Sequence, residues 1–389
     1  MAGTAAAGEL SAPPPAAAAP AETRRGAYRF RVAGPRDERA VARVLREGVF
    51  DGAIRVAFHG EPDALAAAAV YGPVHQTVIA ERDGAVAAIA CRAERDVFVN
   101  GRIRRMGYLS QLRVAGGRGA GRDLLEGGFE FCRALHDRGS AFAYLMAIVE
   151  DNEPARRLLT SARLGGAPDI VPLEPFVTFA IPTRLRSPQP GGELRRGHPD
   201  LLPAIADCLQ RFGARHQLAP VWTADDLASR ERTPGLAAED FFVLRRGGLV
   251  AACVALWDQR PFRQTVVHGY SRRLARMRPL VNLAARAGWT PRLPPAGTAL
   301  AFAYLSHAAF DDDPRDLLPL IDAARTAAGR AGLEFLVLGA AERHPLAAAV
   351  AARFRHRRYV SRLYLARWPG DETPAALDGR IPAPEVAVL

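Results

Sequence analysis

Between Val114 and Leu124 the chain sets Gly116, Gly117, Gly119 and Gly121 around two arginines, Arg118 and Arg122. A strand-like run, YLSQLRV, precedes them, and a helix-like run opening RDLL follows. Free N–H groups at a helix start carry partial positive charge and attract anions. Glycine keeps side chains out of the approach. The combination suits a phosphate or diphosphate held by main chain, with guanidinium charge beside it. Two common versions of such a loop are excluded by composition. A Walker loop needs GxxxxGK[ST], and the chain has no lysine: its 52 basic residues are all arginine. A dinucleotide fingerprint needs GxGxxG, and Gly117 to Arg122 reads GRGAGR, without the last glycine.

What remains is GxxGxG from Gly116. It resembles the acetyl-CoA signature of the GNAT (GCN5-related) N-acetyltransferase superfamily, usually [QR]xxGxG[AG]. The resemblance covers about residues 27–182, through the strand order, the loop, the buried strand after the helix, and Asn152 followed three residues on by Ala155. It implies an α/β fold with a mixed sheet splayed open between its fourth and fifth strands. It implies acetyl-CoA as cosubstrate, with the pantetheine arm along the backbone of Leu112, Arg113 and Val114. The diphosphate would then lie on Gly117, Arg118, Gly119, Ala120, Gly121 and Arg122, with Asn152 in reach of the cofactor. Two features depart from the family pattern. Gly116 replaces the usual Arg or Gln, in a stretch about three residues shorter than usual. Leu159 stands where many members carry the tyrosine that reprotonates the CoA thiolate.

The implied reaction is direct attack of an amine on the thioester carbon. It needs a donor for the carbonyl oxygen, a base for the ammonium and an acid for the departing sulfur. Backbone N–H groups of the Tyr108–Val114 strand can serve as the donor. Glu150 and Asp151 follow the next strand and are candidate bases, although acids there also cap helices. Tyr108, Ser110 and Tyr144 could relay protons or simply pack. The function expected is CoA-dependent transfer of an acetyl group to an amine. The alternative within the same fold is a non-catalytic acyl-CoA-binding or scaffold protein.

These residues need a scaffold, and the sequence outlines it. The first segment reads as a short strand (YRFRVA), a helix from about Pro35 to Arg46, and a helix over EPDALAAAAVYG. Two strands joined at Asp83-Gly84 follow, then the strand before the glycines. Leu125, Phe129, Cys132 and Leu135 fall on one helix face, and AFAYLMAIV is apolar enough to be a strand covered on both sides. Asn152 caps a further helix, and EPFVTFAIP closes the unit.

The later part of this order recurs. Tyr108-Leu109-Ser110 matches Tyr304-Leu305-Ser306, and Arg122 to Leu125 matches Arg315 to Leu318. In place of the glycines the second copy has Asp311-Asp312-Asp313-Pro314, a capped helix start that repels phosphate. The expectation is two GNAT-like acyl-CoA N-acyltransferase domains in tandem, the second degenerate. Composition divides the chain into a tail (1–26), a first domain (27–184), a linker (185–193), a second domain (194–368) and a tail (369–389).

The net charge of +11 and pI near 10.3 invite a nucleic-acid partner. The arginines are interleaved with acids instead of gathered in a stripe, which argues against it. Four dispersed cysteines and nine dispersed histidines lack ligand spacing, so no metal is expected. Apolar runs fall short of a membrane span. Free thiols then suit a reducing cytoplasm, with an acyl-CoA and an amine acceptor as partners and no membrane.

Overall fold

The structure is a computed structural model that describes residues 22–117, 121–136, 141–160, 164–185, 194–286, 292–370 and 377–389. Arg118, Gly119 and Ala120 lie outside the described residues. In chain order the first half contains β1 (Thr23–Arg25), β2 (Tyr28–Val32), α1 (Glu38–Glu47), β3 (Ile54–His59), β4 (Val74–Arg82), β5 (Ala85–Val99) and β6 (Arg102–Val114). It continues with α2 (Arg122–His136), β7 (Tyr144–Val149), α3 (Glu153–Thr160) and β8 (Asp169–Pro182). The second half contains β9 (Leu194–Arg196), α4 (Leu202–Ala214), α5 (Ala224–Ala228), β10 (Phe241–Arg246), β11 (Leu249–Trp257), β12 (Gln264–Tyr270) and α6 (Arg272–Arg286). It ends with β13 (Phe302–Phe310), α7 (Leu317–Arg330), β14 (Phe335–Ala341), α8 (Pro345–Arg353) and β15 (Arg357–Arg367).

One mixed sheet runs through both halves in the order β1-β2-β4-β5-β6-β7-β15-β8-β14-β13-β11-β10-β9. The turn between β4 and β5 is the expected one, with Asp83 at φ 52° and Gly84 at φ 74°, the left-handed pair that a tight hairpin requires. The closing strands, however, are exchanged. EPFVTFAIP does not close the first unit: β8 lies between β15 and β14, antiparallel to both, while β15 returns to pair with β7. Each half thus supplies the strand that completes the other, and neither keeps an open edge at the junction.

In each half the sheet opens at its centre. β6 and β7 run parallel over Gly107–Tyr144 and Tyr108–Leu145, then part. β13 and β14 do the same after Tyr304–Val337. Gly107 permits the first crossing, because a Cβ there would lie 2.1 Å from Cδ1 of Tyr144. A second, small sheet pairs β3 with β12 and so bridges the halves.

Leu125, Phe129, Cys132 and Leu135 of α2 are all buried, as their spacing predicts, and the last three pack in one cluster with β2, β4 and β7. Over EPDALAAAAVYG the structure has a short 3₁₀ segment, Ala66–Tyr71, in place of the expected helix. Every residue from Ala67 to Tyr71 is buried, so this stretch has no solvent face for an amphipathic helix to present. The tails also differ from expectation. Thr23–Arg25 pairs with β2, and Ala387 and Val388 are buried in the core.

Candidate functional site

A cavity of about 480 Å³ occupies the opening between β6 and β7 and extends toward β12 and β13. Its wall is largely apolar, with Phe30, Leu124, Phe129, Met146 and Ile148 along α2 and the first-half sheet. Among the expected site residues, Tyr108, Ser110, Leu112, Arg113 and Asn152 reach this wall.

The β6 side is shaped by a bulge. Ser110 pairs with Cys91 and Arg113 with Ile89, so Gln111 and Leu112 oppose the single residue Ala90. Gln111 adopts φ 54°, a left-handed conformation that is unusual for a side-chain-bearing residue. Its Nε2 donates to Tyr71 Oη at 2.8 Å, and the Tyr71 ring lies 5.6 Å from that of Tyr108. Burial pushes the Tyr108 hydroxyl well above its ordinary range, so it stays protonated. Ser110 Oγ is buried and, among the described residues, meets no partner apart from the Cys91 thiol across the ladder.

Arg113 folds back along the wall. Its Nη1 donates to Leu112 O at 2.7 Å and its guanidinium lies 4.1 Å from the Phe50 ring centre. Burial lowers it to about 10. Val114 sits opposite Ala88 at the end of β6. Gly116 follows with φ 70°, its N–H donating to Glu47 Oε2 at 3.2 Å, and Gly117 ends this turn. Gly121 precedes α2 and accepts from the Leu125 N–H at 3.2 Å, with open space where a side chain would project. Arg122 Nε donates to Glu126 Oε1 at 2.8 Å. Glu126 also accepts from the Gly165 N–H and from Arg25, contacts that hold its carboxyl below the usual range.

On the β7 side, Asn152 Oδ1 accepts from the Ala155 N–H at 3.2 Å and caps α3. Ala155 and Leu159 of that helix face the cavity. Glu150 lies elsewhere. It occupies the turn after β7, pairs with Arg362 of β15 at 3.4 Å and is 41% exposed, outside the cavity lining. Tyr144 is a core residue: its hydroxyl accepts from Arg92 Nε and its ring packs on His136 and Trp368.

The sequence reading missed the far wall. His59, Tyr71, Gln259, Arg263, Gln264, Tyr304, Val386 and Leu389 all line the cavity. His59 comes from β3, and its Nε2 is buried without a hydrogen-bond partner among the described residues. Burial and the neighbouring Arg46 lower its pKa below the ordinary 6.5. Nothing in the local sequence marks it, since β3 meets β12 from more than two hundred residues away.

No protein-family model and no curated protein matches the chain. Solved structures do. An N-myristoyltransferase of Saccharomyces cerevisiae with bound myristoyl-CoA superposes with TM-score 0.59 at 11% identity, over 92% of this chain and 84% of that one. A GCN5-related N-acetyltransferase from Sphaerobacter thermophilus superposes with TM-score 0.52 at 13% identity, over 90% of this chain and 99% of that one. The chain shares the fold of these N-myristoyltransferase and GCN5-related N-acetyltransferase structures. Two GNAT-like units follow one another along the chain, and the sheet opens at the centre of each. They differ at the helix after the opening. The first half presents Gly121 there, whereas the second presents Asp313, whose carboxylate accepts from the Arg315 N–H at 2.8 Å. Asp311 and Asp316 are likewise engaged, with Arg211 at 3.0 Å and Arg246 at 2.7 Å. Among the described residues no cluster of His, Cys, Asp and Glu could hold a metal, and no helix is long and apolar enough to cross a membrane.

Proposed function

We propose that the chain is an acyl-CoA-dependent N-acyltransferase whose donor binds in the first half. The observation that carries this reading is one cavity joining the β6–β7 opening, the Gln111 bulge and the start of α2. A pantetheine arm would lie along Leu112, Arg113 and Val114. The diphosphate would meet the helix start around Gly117, Arg118, Gly119, Ala120, Gly121 and Arg122, where no side chain at Gly121 stands in the way. Asn152, already the cap of α3, lies on the same wall.

Acetyl-CoA would be the shortest donor. The apolar wall of Phe30, Leu124, Phe129 and Met146 favours a longer acyl chain, since each buried methylene contributes about 0.8 kcal/mol. The Gln111 N–H at the bulge would meet the thioester oxygen, where a fixed dipole offsets the developing negative charge. His59, neutral above its lowered pKa, would take the proton of an attacking ammonium. The protonated hydroxyls of Tyr108 and Ser110 can serve the departing thiolate in place of the family tyrosine, which Leu159 replaces. The amine would enter past the β3–β12 ribbon, the side on which His59 and Gln264 stand.

Leu159 also supports a second reading, a protein that binds acyl-CoA without turnover. Thiol release from acetyl-, hexanoyl- and dodecanoyl-CoA against a panel of amines, alongside calorimetric titration with CoA, separates the two. Turnover supports the enzyme; binding without turnover by any amine supports the second reading. Absence of both binding and turnover overturns both.

A further inference from the structure

The second half repeats the geometry of the first with one addition. Ser306 pairs with Ala255 and Ala309 with Cys253, so His307 and Ala308 form a bulge at the positions matching Gln111 and Leu112. His307 has φ 52°. His344 caps α8 as Asn152 caps α3, its Nδ1 accepting from the Leu346 N–H at 3.1 Å. A splay of this kind leaves a slot, yet a cavity of only about 50 Å³ remains between β13 and β14. The chain itself takes the space. Pro382 to Val386 line that remnant together with His307, Leu338 and Gly339. Val386 packs so closely on β14 that a Cβ at Gly339 would lie 2.6 Å from its own. Ala383 N donates to Gln217 O at 2.8 Å, fixing the segment's path. Glu385, partly buried, puts Oε2 2.7 Å from the His307 N–H and Oε1 3.1 Å from the Ala387 N–H.

We propose that the second half contains a donor slot filled by the chain's own Pro382–Val386 segment, with the Glu385 carboxylate on the bulge N–H where the first half would receive a thioester oxygen. Glu385 is thereby a positioning residue for the first half. The donor comparison rests on the function proposed above. The connection is continuous. Ala387 O accepts from Gln259 Nε2 at 2.9 Å and from Arg263 Nη1 at 3.0 Å. The Arg263 guanidinium lies 4.9 Å from the Tyr71 ring centre, and Tyr71 Oη receives the Gln111 side chain. Releasing Glu385 would loosen Ala387, then Arg263 and Tyr71, and finally the bulge that faces the donor.

The test uses the full chain with Glu385→Ala and Glu385→Gln. Hydrogen exchange in the Ala variant should speed up by about tenfold at His307 and Ala387, and measurably at Gln111, while α7 exchanges as before. The Gln variant, which keeps one acceptor oxygen, should fall between. In calorimetry the Ala variant should lose the advantage of acetyl-CoA over CoA, with CoA affinity held within about twofold. Unchanged exchange at His307 overturns the filled slot. Unchanged exchange at Gln111, or equal weakening of both ligands in step with a lower unfolding midpoint, overturns the positioning role. If wild-type protein binds neither ligand, the donor reading fails, and the exchange data still decide whether the segment fills the slot.

Discussion

Gln111 and His307 stand at the same point of two copies of one strand, each following a serine and each in the left-handed region, at φ 54° and φ 52°. A non-glycine residue there costs roughly 1 to 2 kcal/mol. Both halves carry that strain at a bulge beside an opening in the sheet. They differ in what the bulge faces: a cavity in the first half and the Glu385 carboxylate in the second.

The conformation of Gln111 can be tested by substitution. Gln111→Val places a β-branched residue at positive φ and should lose about 2 kcal/mol in urea unfolding, with acyl-CoA binding weakened. Gln111→Gly removes the strain along with the Tyr71 hydrogen bond and should stay within about 1 kcal/mol of wild type. Equal stability of the Val variant would show that the bulge is not strained.

Gly121→Asp gives the first half the acidic helix start of the second. The position is open, and an acid before α2 suits the helix dipole, so thermal stability should hold or rise slightly. CoA affinity should fall by about tenfold or more, because the added charge opposes the diphosphate. Unaltered affinity by calorimetry would remove this helix from the donor site.

His59 has its pKa lowered, chiefly by burial and then by Arg46, against an opposing effect of Glu61. A base of that kind is neutral above its folded pKa. Activity should therefore be lost as pH falls through a value below 6.5, the ordinary value for histidine. His59→Gln should lower kcat by about a hundredfold and abolish that acid limb. An unchanged pH–rate profile in the variant would assign the base elsewhere.

His307 bears on stability. Burial lowers its pKa to about 3, from an ordinary 6.5 that the unfolded chain retains. Its contribution is full above pH 6.5 and is lost progressively as pH falls from 6.5 toward 3, since the unfolded state then takes up the proton. The slope attributable to this residue is about 1.4 kcal/mol per pH unit. His307→Gln, which copies the first half, should flatten the loss of stability between about pH 6 and 4.5 in urea unfolding. A variant with the wild-type slope would contradict the buried neutral imidazole.

Much of the scaffold was legible in the sequence. The helix face of Leu125, Phe129, Cys132 and Leu135, the Asp83-Gly84 turn, the Asn152 cap and the repeated Tyr-Leu-Ser all depend on local spacing. The exchange of β8 and β15 was not legible. Both are apolar strands of similar length, and an apolar run marks a covered strand without naming its neighbour. His59 was invisible for a related reason, because its wall is assembled from β3 and the distant β12. The 377–389 stretch has the composition of a tail. It is held instead by backbone bonds with Gln217 and by the Gln259 and Arg263 side chains donating to Ala387 O, which composition does not record.

The most direct measurement is a crystal structure with a non-hydrolysable acyl-CoA analogue bound. It should place the diphosphate against the Gly117–Arg122 stretch and the carbonyl oxygen within hydrogen-bond distance of the Gln111 N–H, with Glu385 still seated on His307. A ligand lodged between β13 and β14, or one that leaves the β6–β7 opening empty, would contradict the account.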